Sequence, residues 1–164
     1  MIIAVRRLAP PDATPLAGPL FELVARFATS FVPVREAFEA SLRTVLADGS
    51  AWLGVAEVTG PPSESPGTDQ SAGSGGVVES ALAGYCLGFD HPAFYANGGV
   101  AWVEEIMVRE DLRGQGVGRA LMDAFEKWAS DRGDRLVGLA TRRAAAFYDA
   151  LGYETSAAYF RKLL

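Results

Sequence analysis

Residues 113–119 read Arg-Gly-Gln-Gly-Val-Gly-Arg, between the apolar run AWVEEIMV and the amphipathic run ALMDAFEKWAS. The order of strand, glycine-rich turn and helix is a device for holding anionic oxygens. The first amides of a helix have no partner within it, and they stand at the positive end of its dipole. Gly114, Gly116 and Gly118 remove side chains, so that oxygens can approach the main chain and the chain can take unusual dihedrals. Arg113 offers a charge-assisted contact. The same glycines would also serve a tight, packed strand–helix turn.

Two further positions carry proton chemistry. Glu104 and Glu105 are adjacent in an otherwise apolar strand, and alternation sends them to opposite faces, so one of them at most faces a given pocket. A carboxylate there needs a partner, solvent or a task. The plain alternative to a task is half of a salt bridge on a solvated part of the sheet. Tyr148 follows Phe147 in AAAFYDALGY, about 100° round a helix. That spacing lets Phe147 pack inward while Tyr148 reaches a cleft as a donor, or caps the core with its hydroxyl in water. Cys86, the single cysteine, lies in ALAGYCLGF and reads as a buried structural thiol. With the single histidine it cannot complete a zinc site, and no metal is expected.

Two phosphate-binding patterns can be tested against the turn. A dinucleotide fingerprint needs G-x-G-x-x-G early in a strand–helix–strand unit, and the spacing here differs. A P-loop needs G-x-x-x-x-G-K-[ST], and the chain has no Gly-Lys-Ser or Gly-Lys-Thr.

The elements that must position these residues follow from periodicity and breakers. IIAVRRL reads as a first strand. Residues 14–29 carry a helical apolar stripe in which Pro19 marks a start or a break, and a second helix runs from Pro33 to Leu46. AWLGVAEV and VVESALAGYCLGF read as strands, joined by GPPSESPGTDQSAGSGG, a flexible loop at about 60–76 with almost nothing apolar to bury. Such a loop makes one hairpin with an overgrown tip, and residues 1–164 read as one domain. AWVEEIMV is a strand, and Val117–Ser130 a helix with Leu121, Met122, Phe125, Trp128 and Ala129 on one face. A strand at RLVGLA, a helix across RRAAAFYDAL and extended segments at YET and AAYFRKLL complete the chain.

The 164 residues suffice for a substantial core. A net charge of -5 argues against a nucleic-acid binder, whose contacts need a basic field. No apolar stretch approaches the roughly 18 residues needed to span a bilayer. MIIAVRRLAP is too short and too soon charged for a secretory leader, and the expected location is the cytoplasm.

EEIMVREDLRGQGVGRALMDAFEKWA resembles the acyl-coenzyme A binding motif of the GCN5-related N-acetyltransferase (GNAT) superfamily, R/Q-x-x-G-x-G/A after a hydrophobic strand. Arg113, Gly116 and Gly118 match it. The second signature of that family, N-x-x-A-x-x-[FL]-Y followed by G-[FY], resembles TRRAAAFYDALGY. There Ala144, Phe147, Tyr148, Gly152 and Tyr153 match, and Thr141 stands in place of asparagine. With the strand–helix–helix–strand opening, the resemblance covers almost the whole chain.

The resemblance implies an α/β (mixed α+β) acyl-CoA N-acyltransferase fold: a mixed, splayed central sheet of six or seven strands flanked by about four helices. It implies acetyl-CoA as acyl donor, entering between the fourth and fifth strands, with Arg113, Gly114, Gln115, Gly116, Val117, Gly118 and Arg119 around its pyrophosphate. Main-chain groups of Ile106, Met107 and Val108, on a bulged strand, would meet the pantetheine and thioester. Thr141, Ala144 and Phe147 would add cofactor contacts. Glu104 first, and Glu105 second, would deprotonate an amine acceptor, directly or through water, and Tyr148 would act as general acid to the departing thiolate or as a hydrogen-bond donor near its sulfur. The acceptor, a small-molecule or peptide amine, would lie near Phe31, His91, Phe94 and Tyr95. A homodimer is expected from the open sheet edges. The alternative is a non-catalytic acyl-CoA-binding sensing or regulatory module, which the departure at Thr141 favours.

Overall fold

The computed structural model describes residues 1–26, 31–60 and 80–163. In chain order the elements are β1 (Ile2–Arg7), α1 (Ala13–Ala25), α2 (Arg35–Ala47), β2 (Ala51–Thr59), β3 (Ser80–Ala93) and β4 (Gly98–Val108). They continue with α3 (Val117–Arg132), β5 (Asp134–Leu139) and α4 (Ala145–Asp149). The strands form one sheet in the order β1-β2-β3-β4-β5, antiparallel except for the parallel β4–β5 pair. The expected loop at about 60–76 lies largely outside the described residues, as does the end of the expected first helix.

Both faces of the sheet are covered, which explains why β2 is apolar almost throughout. Trp52, Ala56 and Val58 pack on the α3 side, whereas Leu53 and Val55 pack on the α1–α2 side. The α3 stripe buries Leu121, Met122, Phe125, Trp128 and Ala129 as its period demands. Phe125 lies so close over β3 that a Cβ on Gly88 would sit 2.4 Å from its ring. Burying these apolar surfaces contributes about 1.5–3 kcal/mol for each large side chain.

Three expectations are corrected. Pro19 lies inside α1, where it removes one early hydrogen bond without ending the helix. Helix α2 starts at Arg35 with Val34 as its cap, so Pro33 precedes it. The C-terminal segments form no strand, and the sheet has five strands among the described residues instead of six or seven. Residues 154–163 are exposed, and β5 leaves Arg135 and Leu136 exposed too. A further strand there would have no covered face to bury.

Candidate acyl-transfer site

The sheet opens where β4 outruns β5. Their pairing stops at Val103–Leu139, and β4 continues alone on that side to Val108. On its other side the register with β3 runs to Gly84–Val108. The Arg109 amide donates to Ala83 O at 2.8 Å, which makes Gly84–Val108 a non-hydrogen-bonded pair. Alternation then directs the main-chain groups of Ile106 and Val108 into the opening. Those of Met107 and Glu105 face β3, so the Met107 amide is not available to a ligand in the opening.

The glycine-rich turn stands at this same end. Gly114 (φ 74°) and Gly116 (φ 91°) occupy the left-handed region. Gly116 caps α3, and the first helical bond is from the Ala120 amide to Gly116 O at 3.0 Å. The amides of Val117, Gly118 and Arg119 therefore have no partner within the helix. Gly118 serves packing: a Cβ there would come within 3.2 Å of the Phe147 ring. Arg113 Nε donates to Val108 O at 3.4 Å, Gln115 Nε2 to Asp111 O at 2.8 Å, and Arg119 Nη2 to Ala150 O at 3.2 Å. Those contacts tie the turn to β4 and to the end of α4.

Glu104 sits at a bulge. Leu87 pairs with Glu105 and the next residue, Gly88, with Val103, so Glu104 is the extra residue. Val103 and Ile106 both pack on the α3 face. Two residues stand between them where strict alternation allows one or three, which overturns the simple assignment of Glu104 and Glu105 to opposite faces. Glu104 is exposed. Glu105 is half-buried on the α1–α2 side, where it accepts a hydrogen bond from the Tyr85 hydroxyl at 2.8 Å. It lines a cavity of about 360 Å³ between α1, α2 and the sheet. Burial, with the Glu105 charge second, holds the Tyr85 phenol well above its usual range, so Tyr85 remains a donor.

Tyr148 and Phe147 differ from the expectation in their burial. Tyr148 is the buried one, in the α3-side core with Cys86 and Leu121, and Phe147 is half-buried against Gly118. The Tyr148 ring meets Phe147 at 5.0 Å and Tyr153 at 5.7 Å. Its hydroxyl makes no hydrogen bond among the described residues, and burial pushes its pKa up to about 12. The α4 helix is short because Gly152, at φ 89°, turns the chain. Thr141 Oγ1 accepts the Ala144 amide at 3.1 Å, so its hydroxyl fixes the turn into α4. Burial likewise raises the Cys86 thiol, which stays protonated and inert.

A helix start with free amides, a strand whose main chain faces an opening, and a carboxylate beside a cavity occur together at one end of the sheet. Residues 37–153 match the model of the Acetyltransferase (GNAT) family. The chain belongs to that family. This GNAT chain is 44% identical over 52 residues to N-alpha-acetyltransferase 80 of Mus musculus, covering 32% of the chain and 17% of that protein. It is 41% identical over 59 residues to an uncharacterized N-acetyltransferase of Methanocaldococcus jannaschii, covering 34% of the chain and 26% of that protein. It thus matches less than a third of the length of either relative. A solved structure of glucosamine-6-phosphate N-acetyltransferase from Arabidopsis thaliana shares the fold, with a TM-score of 0.73, 17% identity and 99% of each chain covered.

Not every expected residue of this GNAT chain reaches the site. Phe94 and Tyr95 form an exposed turn before β4, and His91 pairs with Val100. They lie at the α3 C-terminal end, whereas the glycine turn lies at its N-terminus. From Gly98 to Glu104 the strand runs roughly 20 Å, at ~3.3 Å per residue. Phe31 is exposed beside Val32, and Val32 lines the cavity. Tyr85 was not singled out by sequence. Its position two residues before Leu87, on the side of β3 that Leu53 and Val55 share, was the available signal.

Among the described residues no helix is long and apolar enough to cross a membrane, and no group of three or more His, Cys, Asp or Glu residues is placed to hold a metal.

Proposed function

We propose that this chain transfers an acetyl group from acetyl-CoA to an amine by direct attack. The observation that carries the reading is the opening of β4 from β5 beyond Val103, in front of the α3 N-terminus. Acetyl-CoA fits what is there. The free amides of Val117, Gly118 and Arg119 would hold its pyrophosphate, and Arg113 would add charge. The main chain of Ile106 and Val108 would hold its pantetheine arm, and the donor supplies an activated acyl carbonyl.

The chain's own residues do the rest. Glu105, steadied by Tyr85 and beside an apolar cavity, accepts the proton of the attacking amine. We assign the base to Glu105 before Glu104 on this geometry. The Val108 N–H faces the opening and can donate to the carbonyl oxygen as charge grows on it. Tyr148 lies on the α3 face, its ring against Phe147, which packs on Gly118 at the start of α3. Its phenol, with a pKa pushed up to about 12, lies well above a free thiol, at about 8.5. It therefore stabilises the departing thiolate by hydrogen bonding, and solvent completes the protonation.

Thr141 gives the sensing alternative little support, because its hydroxyl has a local structural task. A cytoplasmic location and a homodimer formed through the open edges at β1 or β5 complete the reading, and light scattering tests the latter. Incubation with acetyl-CoA and a panel of amines, following free thiol, tests the activity. Tight cofactor binding with no thiol released from any amine would sink it.

A further inference from the structure

We propose that the acceptor is a small primary monoamine with an apolar body, such as an alkyl- or arylalkylamine, seated in the cavity between α1, α2 and the sheet. This rests on the acetyltransferase reading and narrows it. The cavity, about 360 Å³, stands at the lower end of the range for small-molecule sites, ~300–1,000 Å³. Its wall is made by side chains such as Leu20, Val24, Phe38, Leu42 and Val45. Val32 and Val34 are 88% and 58% exposed and form an apolar rim. Glu105 is the one charged residue of the lining among the described residues.

One carboxylate in an apolar chamber matches one ammonium. A polyamine or an aminoglycoside would bring further charges into surroundings with no partner for them. A sugar phosphate would need a cationic side chain, and none lines the cavity among the described residues. Arg35, nearest in sequence to the rim, is paired with Glu39 at 2.7 Å. The carboxylate also sits where the chemistry needs it. Glu105 is two residues past the last β4–β5 pair and adjacent to Ile106, whose main chain faces the opening.

The test compares 2-phenylethylamine and 3-methylbutylamine with spermidine, glucosamine 6-phosphate and kanamycin, by thiol release and by calorimetric titration of each amine. The proposal expects kcat/KM for the apolar monoamines at least ~10-fold above the others, in line with the selectivity an apolar pocket can give. Ala37→Trp, at an exposed helix position on the cavity wall, should raise their KM at least fivefold and leave acetyl-CoA affinity unchanged. Thiol release that prefers a polyamine, the sugar phosphate or the aminoglycoside overturns the proposal and leaves the enzyme reading intact. Monoamine binding that Ala37→Trp weakens, with no thiol released, keeps the cavity assignment and overturns the enzyme reading. Absence of both monoamine binding and monoamine turnover overturns the proposal.

Discussion

In the proposed mechanism Glu105 and Tyr148 divide the proton chemistry between two faces of one sheet, and each makes a distinct prediction. Replacing Glu105 by Gln keeps the shape and an acceptor for the Tyr85 hydroxyl but removes the base. At neutral pH, kcat/KM should fall by ~10²–10³, the usual worth of a positioned general base. The loss should shrink as pH rises toward the amine's own pKa, because solvent then supplies the neutral nucleophile. A loss that stays constant from pH 7 to 10 would show that Glu105 only holds structure. Tyr148→Phe should lower kcat by ~10-fold or more while the KM for acetyl-CoA changes little. Because burial keeps this phenol protonated to about 12, the wild-type rate should show no fall between pH 8 and 10 that Tyr148→Phe abolishes. An unchanged kcat in the variant would remove the tyrosine from the mechanism. Both residues were legible in the sequence as candidates. Their surroundings were not, because Phe147 and Tyr148 are neighbouring aromatics and only the fold decides which of them is the more buried.

At the scale of elements, the turn and helix α3 behave as one device whose three glycines do different work. Gly116→Ala forces a side chain onto a left-handed residue at the helix cap, which costs about 1–2 kcal/mol. It should lower thermal stability and weaken acetyl-CoA binding together. Gly118→Ala has no such backbone strain, but its methyl would push on the Phe147 ring. It should weaken the docking of α4 and lower kcat more than it changes cofactor affinity, as calorimetry beside steady-state kinetics would show. Equal effects of the two substitutions on acetyl-CoA affinity would contradict this division. The stripe of α3 was readable because a period of 3.6 survives in any context. A bulge in β4 was expected only from the family resemblance, and its place at Glu104 was not readable, since apolar residues on both faces of the strand hide the interruption. The doubled glutamate between Val103 and Ile106 was the trace it left. The missing C-terminal strands mark the other limit: YET and AAYFRKLL have strand-like composition, and whether they pair depends on what β5 offers them.

At the scale of the whole molecule, three tyrosines tie stability to alkaline pH. Tyr85, Tyr148 and Tyr153 are all held above the ordinary phenol value, in each case first by burial. Tyr85 and Tyr153 also donate to Glu105 and Glu126, whose charges would repel a phenolate. In the unfolded chain each phenol ionises near 10, so above that pH the unfolded state binds fewer protons than the native one. Stability is then fully present below about pH 10 and falls as pH rises through the native values, by up to about 1.4 kcal/mol per pH unit for each group. For Tyr148 the window closes near 12; for the other two it extends higher. The melting temperature should hold steady from pH 7 to 9 and then drop steeply, and tyrosinate absorbance should rise together with the loss of helical signal. Tyr148→Phe removes one of the three linked protons and should flatten the decline between pH 10 and 12, even if it lowers stability at pH 7. Tyrosinate absorbance that rises near pH 10, well before the helices melt, would mean that these phenols are open to solvent in the native fold. It would also remove the dry environment on which the assigned roles of Tyr85 and Tyr148 depend.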